Sequence, residues 1–179
     1  MVVVFETPRL VVRQVTPDDV DVLLSIFGDA ENVRHYGSGQ PWSRQDVERF
    51  IASYPAADPR LVSAPGLALL KPGRDPVGFG GVGYYVWEGN TADLLFAFKH
   101  AYWGKGLATE LAVAALATAF RRPELDLIHA TVKPSNRASM RVLEKSGMRR
   151  RQYIPEADRL LFTLSRDEWR TAHGIDRDD

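Results

Sequence analysis

The 179-residue chain contains no cysteine, which excludes a disulfide framework, thiolate zinc ligands and a cysteine nucleophile. Histidine is scarce. His35, His100, His129 and His173 are scattered, and none forms the H-x-x-x-H pair of a helical zinc site. Neither sign of charge is in excess, with 23 basic and 23 acidic residues, so composition gives no argument for nucleic acid or an anionic membrane surface. The local clusters Arg121-Arg122 and Arg149-Arg150-Arg151 read as a solvated rim. No run approaches the ~20 apolar residues that cross a bilayer. The opening MVVVFETPRL lacks the basic region and long apolar stretch of a signal peptide. These absences predict a soluble, cytoplasmic protein with no metal and no nucleic-acid or membrane partner. The length predicts one domain, able to bury roughly 70% of its unfolded surface.

Residues 9–15 alternate and are β-branched, so they read as a strand. Thr16-Pro17-Asp18-Asp19 then starts a helix: Thr16 caps, Pro17 takes the first turn, and Asp19 stands where a capping box wants its acceptor. That helix runs to about Gly28, and a polar loop, DAENVRHYGSGQPW, follows. Ser43-Arg44-Gln45-Asp46 repeats the capping logic and opens a second helix towards Tyr54. Residues 66–71, 77–87 and 92–98 read as strands separated by turns at 72–76 and 88–90. Residues 106–120 make a helix apolar on most faces and hence mostly buried. A strand at 127–132 precedes a helix at 136–146 that Gly147 closes. Residues 152–154 and 160–164 form a last strand pair, before a short helix capped by Ser165 and Glu168. The predicted order is βααβββαβαββ, a mixed α/β domain with antiparallel runs in its middle.

Two glycine-rich stretches compete for the role of phosphate site. GFGGVG (78–83) fits the dinucleotide fingerprint G-x-G-x-x-G letter for letter, but that fingerprint works only between a strand and a helix. Here YYVWEGN follows, aromatic and β-like, so these glycines read as a bulge or a close backbone approach within a strand. YWGKGLATE (102–110) has the right surroundings, with the strand DLLFAF before it and a long helix directly after. Gly104 and Gly106 leave room for amides to point outward, and the first helical turn offers unpaired N–H groups and a partial positive charge. Such a turn is suited to an anion. A Ser or Thr is missing after Lys105-Gly106, so it is not a Walker loop. A nicotinamide-binding reading would use Glu124, twenty residues beyond Gly104. It would also need the motif in the first strand-helix unit rather than past mid-chain.

From ETPRL through YWGKGLATE and NRASMRVLEKSGM to DRLLFTLSRDEW, the chain resembles the GNAT superfamily of acyl-CoA-dependent N-acyltransferases. Within it the chain is similar to the branch named for the ribosomal-protein N-terminal acetyltransferases RimJ and RimL. The resemblance spans residues 6–170 and leaves 171–179 as a polar tail. It implies an α/β (α+β) fold with a mixed, mainly antiparallel central sheet flanked by helices, and acetyl-CoA as co-substrate. The superfamily signature Q/R-x-x-G-x-G/A falls on Trp103-Gly104-Lys105-Gly106-Leu107-Ala108, with Trp103 in place of the usual Gln or Arg. By resemblance, Gly104, Lys105, Gly106, Leu107, Ala108 and Thr109 line the pyrophosphate. The main chain of Phe96, Ala97 and Phe98 pairs with the pantetheine arm as an added strand, and Asn136 bonds the same arm.

The implied reaction is direct attack of an amine on the thioester in a ternary complex. A bulged strand with a free N–H near Phe98 is the expected oxyanion donor. Many relatives carry a Tyr seven residues after the helix-start Asn, where this chain has Leu143. Ser139 is the substitute general acid, or else a plain helix hydroxyl bonded to the preceding turn. Asp93, Glu156 and Asp158 are candidate bases, each equally readable as a solvated strand-end charge. His35, Tyr36 and Trp42 are candidate lining residues of an acceptor pocket between the first two helices and the sheet. The acceptor is a protein N-terminus or a small-molecule amine, and the chain is a monomer or homodimer. A catalytically silent acyl-CoA-binding module is the alternative.

Overall fold

Polar residues ahead of most of the apolar runs set where helices begin. A computed structural model describes residues 1–53, 65–83 and 91–174. It contains strands β1 (Val3–Glu6), β2 (Leu10–Arg13), β3 (Gly66–Leu70), β4 (Asp75–Gly83), β5 (Thr91–Phe98), β6 (Leu127–Val132), β7 (Arg149–Ile154) and β8 (Arg159–Ser165). The helices are α1 (Val20–Phe27), α2 (Ala30–Val33), α3 (Arg44–Ser53), α4 (Leu107–Ala119), α5 (Arg137–Lys145) and α6 (Arg166–His173). Before α1, the Asp19 carboxylate accepts from the Thr16 N–H at 2.8 Å and is gripped by Arg13. Ser43 with Asp46 and Ser165 with Glu168 form reciprocal caps on α3 and α6. Gly147, at φ 91, closes α5, with Met148 N–H donating to the Leu143 carbonyl at 3.0 Å.

Two elements are additional to the sequence expectation. β1 forms from the apolar start and pairs with β2 as a hairpin edge. α2 interrupts the loop expected at 29–42, because Asp29 Oδ1 accepts from the N–H groups of Glu31 and Asn32 and nucleates one turn. Four residues are too few to show helical periodicity. α6 runs three residues into the segment expected as a tail. The expected strand end at 84–87 and the turn at 88–90 lie outside the described residues, as does Tyr54.

The sheet order is β1-β2-β3-β4-β5-β6-β8-β7. Every neighbouring pair is antiparallel except β5 and β6, which are parallel and joined through α4. α4 and α5 cover one face over Leu111, Leu116, Ile128, Leu143 and Phe162. α1 and α3 cover the other face over β3 and β4, around Leu23, Phe27, Val47, Leu67 and Phe79. Trp42 stacks on Phe27 there, with ring centroids 4.5 Å apart.

GFGGVG lies inside β4, in a strand as its surroundings predicted. A Cβ on Gly80 would come 2.8 Å from the Leu95 carbonyl oxygen and 2.9 Å from Leu111 Cδ2 on α4. These glycines therefore set how closely α4 and β5 approach the sheet. Gly80→Ala should cost about 1–3 kcal/mol by overpacking, seen as a lower thermal midpoint. An unchanged midpoint would contradict this close approach.

Candidate functional site

The site is built around a parting of strands. β5 and β6 pair over Thr91↔Leu127, Ala92↔Ile128 and Asp93↔His129, and then separate. β6 stays with β8 along its whole length, while β5 stays with β4 up to Phe98. The Lys99 N–H bonds the Val77 carbonyl on β4 at 2.9 Å. The alternation of an antiparallel ladder then turns Ala97 towards Phe79 and turns the N–H and C=O groups of Phe96 and Phe98 into the gap. The bulge expected near Phe98 is absent from β5, whose register with β4 is unbroken. The irregularity falls instead on β4, where Val77 is the extra residue opposite β3.

At the open end of the gap stands α4. Gly104 and Gly106 adopt φ 73 and φ 77, left-handed values that favour glycine. Gly106 is the N-cap and has no side chain to occupy the first-turn amides, whereas α2, α3, α5 and α6 are each capped by a polar side chain. The N–H groups of Leu107, Ala108 and Thr109 thus face outward at the positive end of the helix.

A latch that the sequence does not announce holds this loop. Thr7 Oγ1, the Arg9 N–H and Arg9 Nε all donate to the Glu110 carboxylate, at 2.6, 2.9 and 2.6 Å, and Arg9 Nη1 bonds the Lys105 carbonyl at 2.9 Å. Burial raises the Glu110 pKa, but the hydrogen bonds from Thr7 and Arg9 outweigh it and leave the carboxyl below its ordinary range. Trp103 ties the loop to β5, its indole Nε1–H donating to the Phe98 carbonyl at 2.7 Å.

The segment from α2 to Gln40 straps the gap. Asn32 Oδ1 accepts from the His100 N–H at 2.7 Å, and the Arg34 guanidinium lies 5.7 Å from the centre of the Trp103 ring. On the other bank, Arg159 Nη2 bonds the Gly37 carbonyl at 3.0 Å. His35 sits between these anchors with its pKa lowered by burial and by the charges of Arg34 and Lys133. Tyr36 and Trp42 pack on Phe27. A cavity of about 530 Å³ lined by Ser38, Gln40, Trp42, Asp46, Arg49 and Phe50 lies between the strap's end and α3, outside the gap.

The predicted catalytic residues lie on three separate elements. Asp93 stands at the vertex, on the face shared with Leu95 and Ala97, and burial raises its pKa against the lowering influence of His129. Ser139 is in the first turn of α5, its N–H bonded to Asn136 Oδ1 at 3.1 Å. Among the described residues, its Oγ has no partner in the preceding turn. It shares a helix face with Leu143, one turn on, which is buried in the core. Asp158 lies in the β7–β8 turn at φ 48 and accepts from the Tyr153 hydroxyl at 2.9 Å. From the register, that turn is several rungs from the vertex, so Asp158 and Glu156 are not brought together with Asp93. Among the described residues no helix is long and apolar enough to cross a membrane, and no three His, Asp or Glu residues gather as a metal site.

Comparison with known proteins gives one consistent result. The acetyltransferase (GNAT) domain family matches residues 9–149. The chain is 27% identical over 172 residues to a Bacillus subtilis protein named uncharacterized N-acetyltransferase YnaD, across 91% of this chain and 97% of that one. A GNAT-family acetyltransferase from Bacillus anthracis superposes with a TM-score of 0.77 at 24% identity, over 93% of this chain and 99% of that one. The aminoglycoside acetyltransferase AAC(6')-Ib, solved with coenzyme A, superposes at 0.73 with 20% identity, over 92% and 99%.

The latch makes a pH prediction. Glu110 titrates lower when folded, so its contribution is complete above the ordinary glutamate pKa of about 4.3 and is lost as pH falls through the folded value. Glu110→Gln should cost about 1 kcal/mol at neutral pH, the Arg9 part being discounted for its exposure. Melting curves from neutral pH to below 4 should converge for the two proteins. A constant offset across that range would contradict the latch.

Proposed function

The chain belongs to the GNAT acetyltransferase family, and from that premise we propose that it carries acetyl from acetyl-CoA to a primary amine by direct attack in a ternary complex. One observation carries this reading: β5 leaves β6 beside a helix whose first-turn amides have no capping side chain. The diphosphate takes the N–H groups of Gly104 to Thr109, which present donors and a positive helix end without desolvating a lysine. The pantetheine arm completes the missing strand by pairing with Phe96 and the Phe98 N–H, while the Phe98 carbonyl is already held by Trp103. Asn136 uses Oδ1 to cap α5, leaving its NH₂ to donate to the arm. That AAC(6')-Ib was solved with coenzyme A supports the same occupant on this fold.

With the arm so laid, the thioester carbonyl comes near the vertex. An outward N–H of β5 meets the oxygen that becomes negative, and no bulge is needed for this. The amine nitrogen attacks the carbonyl carbon and the C–S bond breaks. The ammonium proton passes to Asp93, whose raised pKa brings it closer to that of a competent base. Ser139 protonates the leaving thiolate and recovers its own proton from solvent. Acceptor choice rests with the strap, and both a ribosomal-protein N-terminus of RimJ/RimL type and an amino sugar remain in the test panel.

Two variants test this reading. Gly106→Asp puts a carboxylate at the diphosphate position and a side chain on a left-handed backbone, so calorimetric affinity for CoA should fall at least about tenfold, or 1.4 kcal/mol, with the fold retained. Asp93→Asn should lower kcat by about 10²–10⁴-fold on the fastest of kanamycin, spermidine and a tetrapeptide amine, while leaving CoA affinity intact. Undiminished affinity in the first variant would overturn the cofactor site, and undiminished turnover in the second the base.

A further inference from the structure

The vertex holds a second polar side chain that the reaction scheme leaves idle. Asp93 pairs with Gly83 on β4 and with His129 on β6, at the last rung before the strands part. Directly paired residues on adjacent strands project from the same face, so the carboxylate has a bare glycine on one flank and an imidazole on the other. Ile128, Ala130 and Val132 belong to the core under α4, which puts His129 on the opposite face. The row continues across the sheet. His129 pairs with Thr163 on β8, Thr163 Oγ1 accepts from Arg151 Nε at 2.7 Å, and Arg151 Nη2 bonds Glu168 at 2.8 Å.

We infer that His129 is a positioning residue for proton transfer at Asp93, orienting the carboxylate at the vertex and passing the proton drawn from the amine on to solvent. The inference rests on the reading of Asp93 as the base and adds the route by which that base is reset. The amine's proton first protonates the carboxylate. It then moves to the His129 ring, restoring the carboxylate beside an imidazolium, which loses the proton to water. Among the described residues His129 is the charged group that acts on Asp93. Arg149 and Arg151 share the face beyond Thr163 but are paired with Glu168. Arg34, His35 and Lys133 belong to the strap and the open end of the gap.

Titration of the Asp93 carboxyl by NMR tests this pairing without an acceptor. In His129→Gln and in His129→Asn the Asp93 midpoint should rise, because the lowering influence of the imidazole is gone. Either variant alone decides the pairing if the other fails to fold. With kanamycin, spermidine or the tetrapeptide as acceptor, His129→Gln should move the acidic limb of kcat/KM upward and lower kcat, with KM for acetyl-CoA unchanged. An Asp93 midpoint that does not rise in these variants overturns the inference while leaving Asp93 as base. A risen midpoint beside a fully active Asp93→Asn variant removes the base itself, and the inference falls with it.

Discussion

A backbone amide or carbonyl taken from water needs a partner, and most of this sheet answers that demand within the chain. The inner edge of β5 beyond Asp93 does not. Its neighbour β6 has turned away with β8, so Phe96 presents both main-chain groups and Phe98 its N–H to an open gap. In the function proposed above, the arm of coenzyme A, an extended chain bearing amides, supplies the missing ladder. Much of the remaining structure keeps that edge open and directed.

Three devices do this. Gly78 and Gly80 let β4 lie close under β5 and α4, which fixes the edge's height relative to the helix start. The Thr7–Arg9–Glu110 latch fastens the first turn of α4 to the β1–β2 hairpin and holds the Lys105 carbonyl back. Trp103 ties the glycine loop to the end of β5 through the Phe98 carbonyl, and Arg34 on the strap covers its ring. Through these contacts the glycine turn, the open edge and the strap form one connected unit.

Features with local causes were legible in the sequence. The caps at Thr16, Ser43 and Ser165 act within three residues, and the strand character of GFGGVG follows from what comes after it. Features made by distant partners were not. Glu110 is about a hundred residues from Thr7 and Arg9, and nothing near either end announces the bond. His129 is one histidine among four until the parallel register sets it beside Asp93. α2 escaped because one Asp-capped turn carries no period. The expected bulge near Phe98 is also absent: a bulge belongs to a strand pair, and here the extra residue lies on β4 opposite β3. Trp103 stands where the motif usually has Gln or Arg, and only the structure shows the Phe98 carbonyl it serves.

The most direct measurement is an amide-by-amide NMR titration of the protein with acetyl-CoA. The account requires the largest shifts at Gly104 to Thr109 and at Phe96 and Phe98, with Ala97, turned towards β4, moving less. Shifts centred on the β7 edge or α6, or an unmoved spectrum at saturating acetyl-CoA, would contradict it.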